Sequence, residues 1–251
     1  MAKSKAHLLR QYAERYETAD FLKDDPSRFM HLVKGSRNQE AMAFIASSLS
    51  YGSRPQFNMK IQTILDWTGG DVDEWLRTGR YEEHFKNGDT RCFYRLYTHD
   101  TMHRFFHAYQ QLLLTHGSLG DYVRLHATDA FSAVAAICEY FNAHGISTII
   151  PKNTQSACKR VCLFLRWMVR ANSPVDLGLW ADFIDRRTLI MPLDTHVLRQ
   201  SARLGLLKSK TASMATARRL TATLADIFPD DPLKGDYALF GYGIDSHMIS
   251  S

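Results

Sequence analysis

The chain has 251 residues, of which 45% are hydrophobic and 23% charged, and its formal net charge is +5. These values are typical of a soluble globular protein with a sizeable core, organised as one large domain or two small ones. No apolar run is long enough to span a membrane and no apolar segment follows the basic start of the chain, so we expect a cytoplasmic protein. The four cysteines are too few for a disulfide scaffold, and the mild positive charge is compatible with a polyanionic partner.

Hydrophobic periodicity predicts helices along nearly the whole chain. No stretch alternates long enough to require a sheet, and residues 144–155 are predicted to connect two helices. The fold class is therefore all-α. In chain order the predicted helices lie at 4–17, shortly after Pro26, and at 38–51, 56–67, 73–77, 90–97, 100–115, 127–143, 156–171, 176–180 and 211–228, with a terminal helix that ends at Gly241-x-Gly243.

The predicted helix at 156–171 is apolar around most of its circumference, which indicates a mostly buried element. Its basic residues Lys159, Arg166 and Arg170 nevertheless fall within about 40° of one another on a helical wheel. This basic stripe has two interpretations. It is either solvated surface or a face for a polyanion, with one lysine placed for chemistry.

A proline-containing segment, Met191–Asp194, leads into another short helix. Asp194 stands at the N-cap position, where its carboxylate can accept hydrogen bonds from backbone N–H groups of the first turn. The residue pattern alone leaves open whether this is a plain capped helix or a capped helix with a functional carboxylate.

The stretch 193–206 resembles the V-D-T-H-V-x-R-x-x-x-R-L-G-L segment of the helix-hairpin-helix DNA glycosylase superfamily. The run 159–168 is similar to the helix that carries the lysine nucleophile in the archaeal 8-oxoguanine glycosylase branch, and this chain looks closest to that branch through an uncharacterised bacterial family. The likeness covers about residues 145–245. The matching residues are Asp194, Thr195, His196, Val197, Arg199, Arg203, Leu204, Gly205 and Leu206, with Leu193 in place of the usual valine.

The resemblance implies a two-lobed helical fold with a DNA cleft between a barrel lobe at 36–170 and a second lobe formed by 1–35 and 171–251. It also implies a monomer that needs no cofactor or metal and acts on double-stranded DNA containing a damaged base. Some members carry a four-cysteine cluster after the catalytic helix, but no cysteine follows Cys162 here.

In that superfamily the aspartate is the catalytic carboxylate, which implies this role for Asp194. The usual lysine position falls on Asp176, whereas the longer spacing of the archaeal branch fits Lys159, with Lys152 as the reserve candidate. Such a lysine attacks the sugar, the base leaves, and a Schiff base forms and undergoes β-elimination. The attack requires a neutral amine, which an apolar helix and a neighbouring cation such as Arg160 favour.

The damaged base must leave the stack to reach such a pocket. Two tryptophans, Trp67 and Trp180, are candidates to sandwich it, although both also fit ordinary core positions. The predicted DNA-binding residues are Arg54, Lys152, Asn153, Arg160, Arg166, Arg170 and His196.

Two other functions remain open from the sequence. His99, His103 and His107 recur every fourth residue, and histidines at this spacing can bind zinc, as in a metal-dependent phosphohydrolase. However, the helix turns by about 40° at each such step, so three histidines do not converge well. The other alternative is a nucleic-acid-binding module that has the fold without the chemistry.

Overall fold

The structure is a computed structural model that describes residues 2–209 and 211–248. Helices dominate this part of the chain, which confirms the all-α class, and no helix in it is long and apolar enough to cross a membrane. The helices are α1 (Ala2–Tyr16), α2 (Arg28–His31), α3 (Ser36–Leu49), α4 (Arg54–Thr68), α5 (Val72–Arg77), α6 (His99–His116), α7 (Leu119–His126), α8 (Ala130–Ala143), α9 (Lys159–Val169), α10 (Thr195–Arg203), α11 (Met214–Ala225) and α12 (Lys234–Met248), with 3-10 turns at Ala19–Lys23, Arg80–Glu83 and Arg186–Thr188 and two short strands, β1 (Cys92–Tyr94) and β2 (Tyr97–Thr98).

The chain forms two compact units. We call Met1–Lys23, Asp129–Phe131 and Thr154–Ser251 the terminal unit, and Asp24–Thr128 and Ser132–Asn153 the middle unit. This division differs from the predicted lobes because α9 belongs to the terminal unit. Within the terminal unit, ion pairs join Arg166 and Arg170 to acidic residues at the start of α12 and just before it.

The terminal unit is built around the packing of α1 against α12. Gly241 and Gly243 lie inside α12, so the prediction that Gly-x-Gly ends the terminal helix is wrong. Both glycines allow close approach, because a Cβ at Gly241 would overlap the ring of Tyr16 and one at Gly243 would overlap the ring of His196.

The middle unit has an aromatic core. Phe44 of α3 lies 5.8 Å from Phe105 and 5.0 Å from Tyr109 of α6, measured between ring centroids. Phe141 of α8 lies 5.2 Å from Phe44 and completes the cluster. Burial of aromatic side chains of this size supplies a large part of the hydrophobic stabilisation of such a unit.

Three sequence predictions fail locally. Residues 90–97 form an antiparallel hairpin of β1 and β2 rather than a helix, since the aromatic residues around the turn fit strands better. Residues 176–180 contain no helix, and α7 was not predicted. The hairpin turn consists of Arg95 and Leu96, and Arg95 has a φ of +53°, a conformation for which local sequence gives no signal here.

Candidate active site

Two helix N-termini in the terminal unit bring Lys159 and Asp194 together. Lys159 is the first residue of α9, and Asp194 is the N-cap of α10. The Nζ atom of Lys159 lies 2.9 Å from Oδ2 of Asp194, while Oδ1 of Asp194 accepts the backbone N–H of Val197 at 2.9 Å. The predicted cap is therefore confirmed. The two side chains are 37% and 33% exposed, so a ligand can reach the pair from solvent.

The segment before Asp194 is anchored in the core. Met191 and Leu193 are buried, and the backbone N–H of Met191 donates to the hydroxyl of Thr221 on α11 at 2.9 Å. Because the chain is held at this point, the position of Asp194 is set by buried contacts rather than by an exposed loop. A carboxylate held in place in this way is preorganised, and preorganised groups are the ones that stabilise charge developing in a transition state.

On the other side of the pair, α9 begins after an unusual backbone conformation. Cys158 has a φ of +45°, in the left-handed region that non-glycine residues rarely adopt. Its backbone N–H is directed at the hydroxyl of Ser156 at 3.4 Å, and residue 156 forms an isolated bridge with Ser213. The strained residue directly precedes Lys159, and strain of this type is often found next to functional residues.

The carboxyl groups around the pair differ in their electrostatics. The pKa of Asp194 lies below its usual value. Burial acts to raise this pKa, but the charge of Lys159 and the hydrogen bond from the N–H of Val197 lower it by more. Burial raises the pKa of Asp236, on the first turn of α12, even though Arg166 acts in the opposite direction. Asp236 also interacts electrostatically with Asp194 and Lys159. Sequence reasoning missed Asp236, because an acidic residue in a first helical turn has an ordinary explanation.

The structure contradicts the prediction that Arg166 and Arg170 face DNA. Their side chains are only 3% and 2% exposed, because both point into a buried ion cluster. Most of the acidic partners lie far from α9 in the sequence, so the pattern of residues in α9 could not predict this cluster. Its contacts are Arg166 with Asp176 (3.3 Å) and Asp236, Arg170 with Asp176, Asp231 (2.7 Å) and Glu17 (2.7 Å), and the hydroxyl of Tyr237 with Asp176 (3.1 Å).

Electrostatics fixes the charge state of this cluster. Burial alone would lower the pKa of Arg170, but Asp176 and Asp231 raise it above its usual value, so the guanidinium stays charged. The two arginines therefore neutralise several buried carboxylates, and neither arginine is available to bind a DNA phosphate. The basic stripe of α9 is thus divided, with Lys159 at the surface and both arginines in the interior.

The remaining predicted residues lie in different places. In the terminal unit, Arg160 is half-buried on α9, and half-buried His196 on α10 packs near Gly243. In the middle unit, Lys152 and Asn153 are exposed in an irregular segment, and Arg54 is the exposed first residue of α4.

The two tryptophans of the predicted base pocket lie in different units and differ in burial. Trp180 is 2% exposed, and its ring meets Phe164 edge-on at 5.1 Å, so it is a core residue of the terminal unit. Trp67 belongs to the middle unit, where His84 stacks on its ring at 3.9 Å with a 4° angle between the planes. The prediction that Trp180 sandwiches a base is therefore wrong, whereas Trp67 is half-buried and its role stays a prediction.

The three histidines of α6 are engaged separately. His99 Nδ1 lies 2.9 Å from the carbonyl oxygen of His84, and His103 Nε2 lies 3.5 Å from Glu82 Oε1. His107 stacks parallel to His103 and approaches the hydroxyl of Tyr81 at 3.3 Å. Across residues 2–209 and 211–248, no three His, Cys, Asp or Glu side chains are grouped to hold a metal ion. The metal-hydrolase alternative has no ligand set there.

The chain matches a known protein family. Residues 25–245 match a family model described as "Protein of unknown function (DUF2400)". No curated protein and no solved structure matches the chain at a significant level.

Proposed function

Since the chain belongs to the DUF2400 family, whose function is unknown, we propose from its own residues that it is a DNA glycosylase with lyase activity at abasic sites. Its substrate is double-stranded DNA with an oxidised purine such as 8-oxoguanine. The observation that carries the proposal is the partly exposed pair of Lys159 Nζ and Asp194 Oδ2 at 2.9 Å. The likeness of both segments to the helix-hairpin-helix glycosylases supports the same assignment.

Each member of the pair has a defined task in this reaction. The Lys159 amine attacks C1′ of the damaged nucleotide, and the bond from C1′ to the base breaks with the electron pair leaving on the base. The Asp194 carboxylate stabilises the positive charge that develops on the sugar. Opening of the sugar ring gives a Schiff base on Nζ. Loss of a C2′ proton then expels the 3′ phosphate and cuts the strand.

The ion pair represents the resting state of the site. A protonated Lys159 cannot attack C1′, so its proton must pass to solvent, which reaches the partly exposed pair, before the chemical step. Asp194 stays ionised and keeps its charge for the sugar cation. The oxygen that caps α10 is Oδ1, whereas Oδ2 contacts Lys159. The carboxylate can therefore change its interaction with Lys159 without releasing the helix.

Borohydride trapping across a panel of lesion duplexes tests the proposal, because reduction of the Schiff base links enzyme and DNA covalently. Lys159→Gln should abolish the trapped complex and leave duplex affinity within a few-fold of wild type. Lys152→Gln is the matched control, since Lys152 is also exposed but lies in the middle unit.

Two results would contradict this assignment. If Lys152→Gln abolishes trapping and Lys159→Gln does not, the nucleophile is misassigned. If the wild-type protein binds duplexes but is never trapped and excises no base, the fold serves as a non-catalytic nucleic-acid-binding module. That alternative is favoured by the capping role of Asp194, which needs no catalysis.

A further inference from the structure

A cavity of about 700 Å³ lies at the C-terminal end of α9, and every residue that lines it belongs to the terminal unit. A volume of this size is typical of small-molecule sites. Lys159 is the first residue of α9, whereas Arg170, which lines the cavity, directly follows the last one. With 11 residues, α9 is about 16 Å long. The cavity and the amine of Lys159 therefore belong to opposite ends of one helix.

Three basic side chains that line this cavity have no carboxylate within ion-pair distance in residues 2–209 and 211–248. They are Arg10, Arg186 and Lys234. Arg10 donates to the carbonyl oxygen of Ile227 at 3.1 Å, and Arg186 donates to that of Asp230 at 2.8 Å. A carbonyl group orients a guanidinium without neutralising it, and each guanidinium has further N–H donors. The two arginines are thus held by one short segment and keep their charge for a ligand.

The buried part of the cavity wall is already neutral. Arg170 is 1% exposed, and its Nη2 atom lies 2.7 Å from carboxylate oxygens of both Glu17 and Asp231. These three residues line the cavity but satisfy one another. They form a rigid support, and the binding of an anion is left to the three unpaired cations.

The same cavity offers acceptors and apolar surface for a second part of a ligand. The carboxylates of Glu14 and Asp230 line it, and no described cation lies within ion-pair distance of either. Glu14 lies one helical turn from Arg10 on α1, a spacing at which ion pairs commonly form, yet the two are not paired. Pro174 and Pro229 add exposed apolar surface. The cavity therefore suits a ligand that combines an anionic group with a flat body carrying N–H donors.

We propose that this cavity binds a nucleoside phosphate. The phosphate is held by Arg10, Arg186 and Lys234, because arginine and lysine are the usual partners of phosphate oxygens. An N–H group of the base donates to Glu14 or Asp230, since carboxylates accept hydrogen bonds from the amino groups of bases.

Other ligand classes fit this cavity less well. A duplex is convex, and its backbone phosphates would approach the unpaired carboxylates of Glu14 and Asp230. A peptide terminus brings one carboxylate to a site that has three unpaired cations. The inference does not depend on the proposed glycosylase activity.

Isothermal titration calorimetry on the full chain tests the proposal with the four ribonucleoside monophosphates, their nucleosides and inorganic phosphate. At least one monophosphate should bind about tenfold more tightly than its nucleoside and than inorganic phosphate, because phosphate and base each add contacts. Arg186→Gln should weaken this binding about tenfold. Arg187→Gln is the matched control, because Arg187 is the next residue, pairs with Asp185 and lies outside the lining of this cavity.

Two further variants separate binding from folding. Lys234 is exposed and its side chain has no partner among the described residues, so Lys234→Gln should keep the wild-type melting temperature. It should still weaken binding of the monophosphate and reduce the salt dependence of that binding. Glu14→Gln should reduce the preference for the monophosphate over inorganic phosphate without weakening the binding of inorganic phosphate. A structural role alone would not produce these effects.

Several results would overturn the inference. These are a wild-type protein that binds no monophosphate, inorganic phosphate that binds as tightly as every monophosphate, and wild-type affinity in both Arg186→Gln and Lys234→Gln. Displacement of the nucleotide by a duplex whose binding depends on Arg186 would assign the cavity to DNA instead. Lys159→Gln should bind the nucleotide like wild type while it abolishes trapping, so this inference and the proposed function are tested separately.

Discussion

Asp194→Asn separates the capping role of this residue from its proposed role in catalysis. Asparagine caps helices nearly as well as aspartate, so the hydrogen bond from the N–H of Val197 should persist. The ion pair with Lys159 is lost, but both partners are about a third exposed, and such pairs contribute only about 0.2–1 kcal/mol. Asp194→Ala additionally removes the cap, at about 1 kcal/mol. For a chain of this size each kcal/mol corresponds to about 2–4 °C in melting temperature.

The catalytic effect should be much larger than the effect on stability. Asparagine carries no charge to stabilise the sugar cation, and removing one preorganised stabilising group slows reactions on the order of a hundredfold, or about 2.7 kcal/mol. We therefore expect a melting temperature near wild type and single-turnover base excision about a hundredfold slower. Asp185→Asn is the matched control, since Asp185 also caps a turn, accepts from Arg187, and pairs with it at the surface. It should not change excision.

The pH dependence of stability gives an independent check on Asp194. Because the folded-state pKa of this carboxyl is lowered, its stabilising contribution is complete above the usual carboxyl pKa of about 4 and is lost as the pH falls through the lowered value. The difference in unfolding free energy between wild type and Asp194→Asn should thus be constant near neutrality and vanish in acid. Equal destabilisation by asparagine and alanine, together with unchanged excision in the asparagine variant, would make Asp194 a cap only.

Two further predictions concern the terminal unit. Arg170→Met should lower the unfolding free energy by about 3–5 kcal/mol in chemical denaturation, because Asp176 and Asp231 lose a buried partner. Arg187→Met, at an exposed pair, is the matched control and should change the unfolding free energy far less. Equal effects of the two variants would contradict the buried cluster. Gly241→Ala should lower the unfolding free energy by about 1–3 kcal/mol, because the added Cβ overlaps the ring of Tyr16. In a Tyr16→Ala background this loss should disappear. A Gly241→Ala variant that is more stable than wild type would contradict the close packing of α1 on α12.

Local sequence signals predicted the helices and the Asp194 cap because both depend on neighbouring residues. The helical wheel grouped Lys159, Arg166 and Arg170 correctly on one face of α9, but it could not show what that face meets. The partners of the arginines, such as Glu17 and Asp231, are distant in sequence. The interpretation of the stripe as a DNA surface failed for this reason.

The hairpin and the glycines of α12 were missed for a related reason. Arg95 and Leu96 carry none of the usual turn chemistry, so the aromatic residues beside them were assigned to a helix. Gly241 and Gly243 have the composition of a helix stop, yet they are required by the rings of Tyr16 and His196, which only the tertiary fold brings close. Residues whose role depends on distant neighbours are those that sequence patterns misassign.

The buried ion cluster has a consequence for Lys159. Buried ion pairs rarely stabilise a fold more than well-packed apolar residues would, because desolvation offsets their attraction. Buried ion pairs instead fix geometry, because an arginine that pairs with several carboxylates at once can occupy only one position. Arg166 and Arg170 impose this condition on the last turns of α9, while Asp194 holds its first residue. The helix is thus fixed at both ends, and the Lys159 amine is presented at a defined place on the surface of the terminal unit.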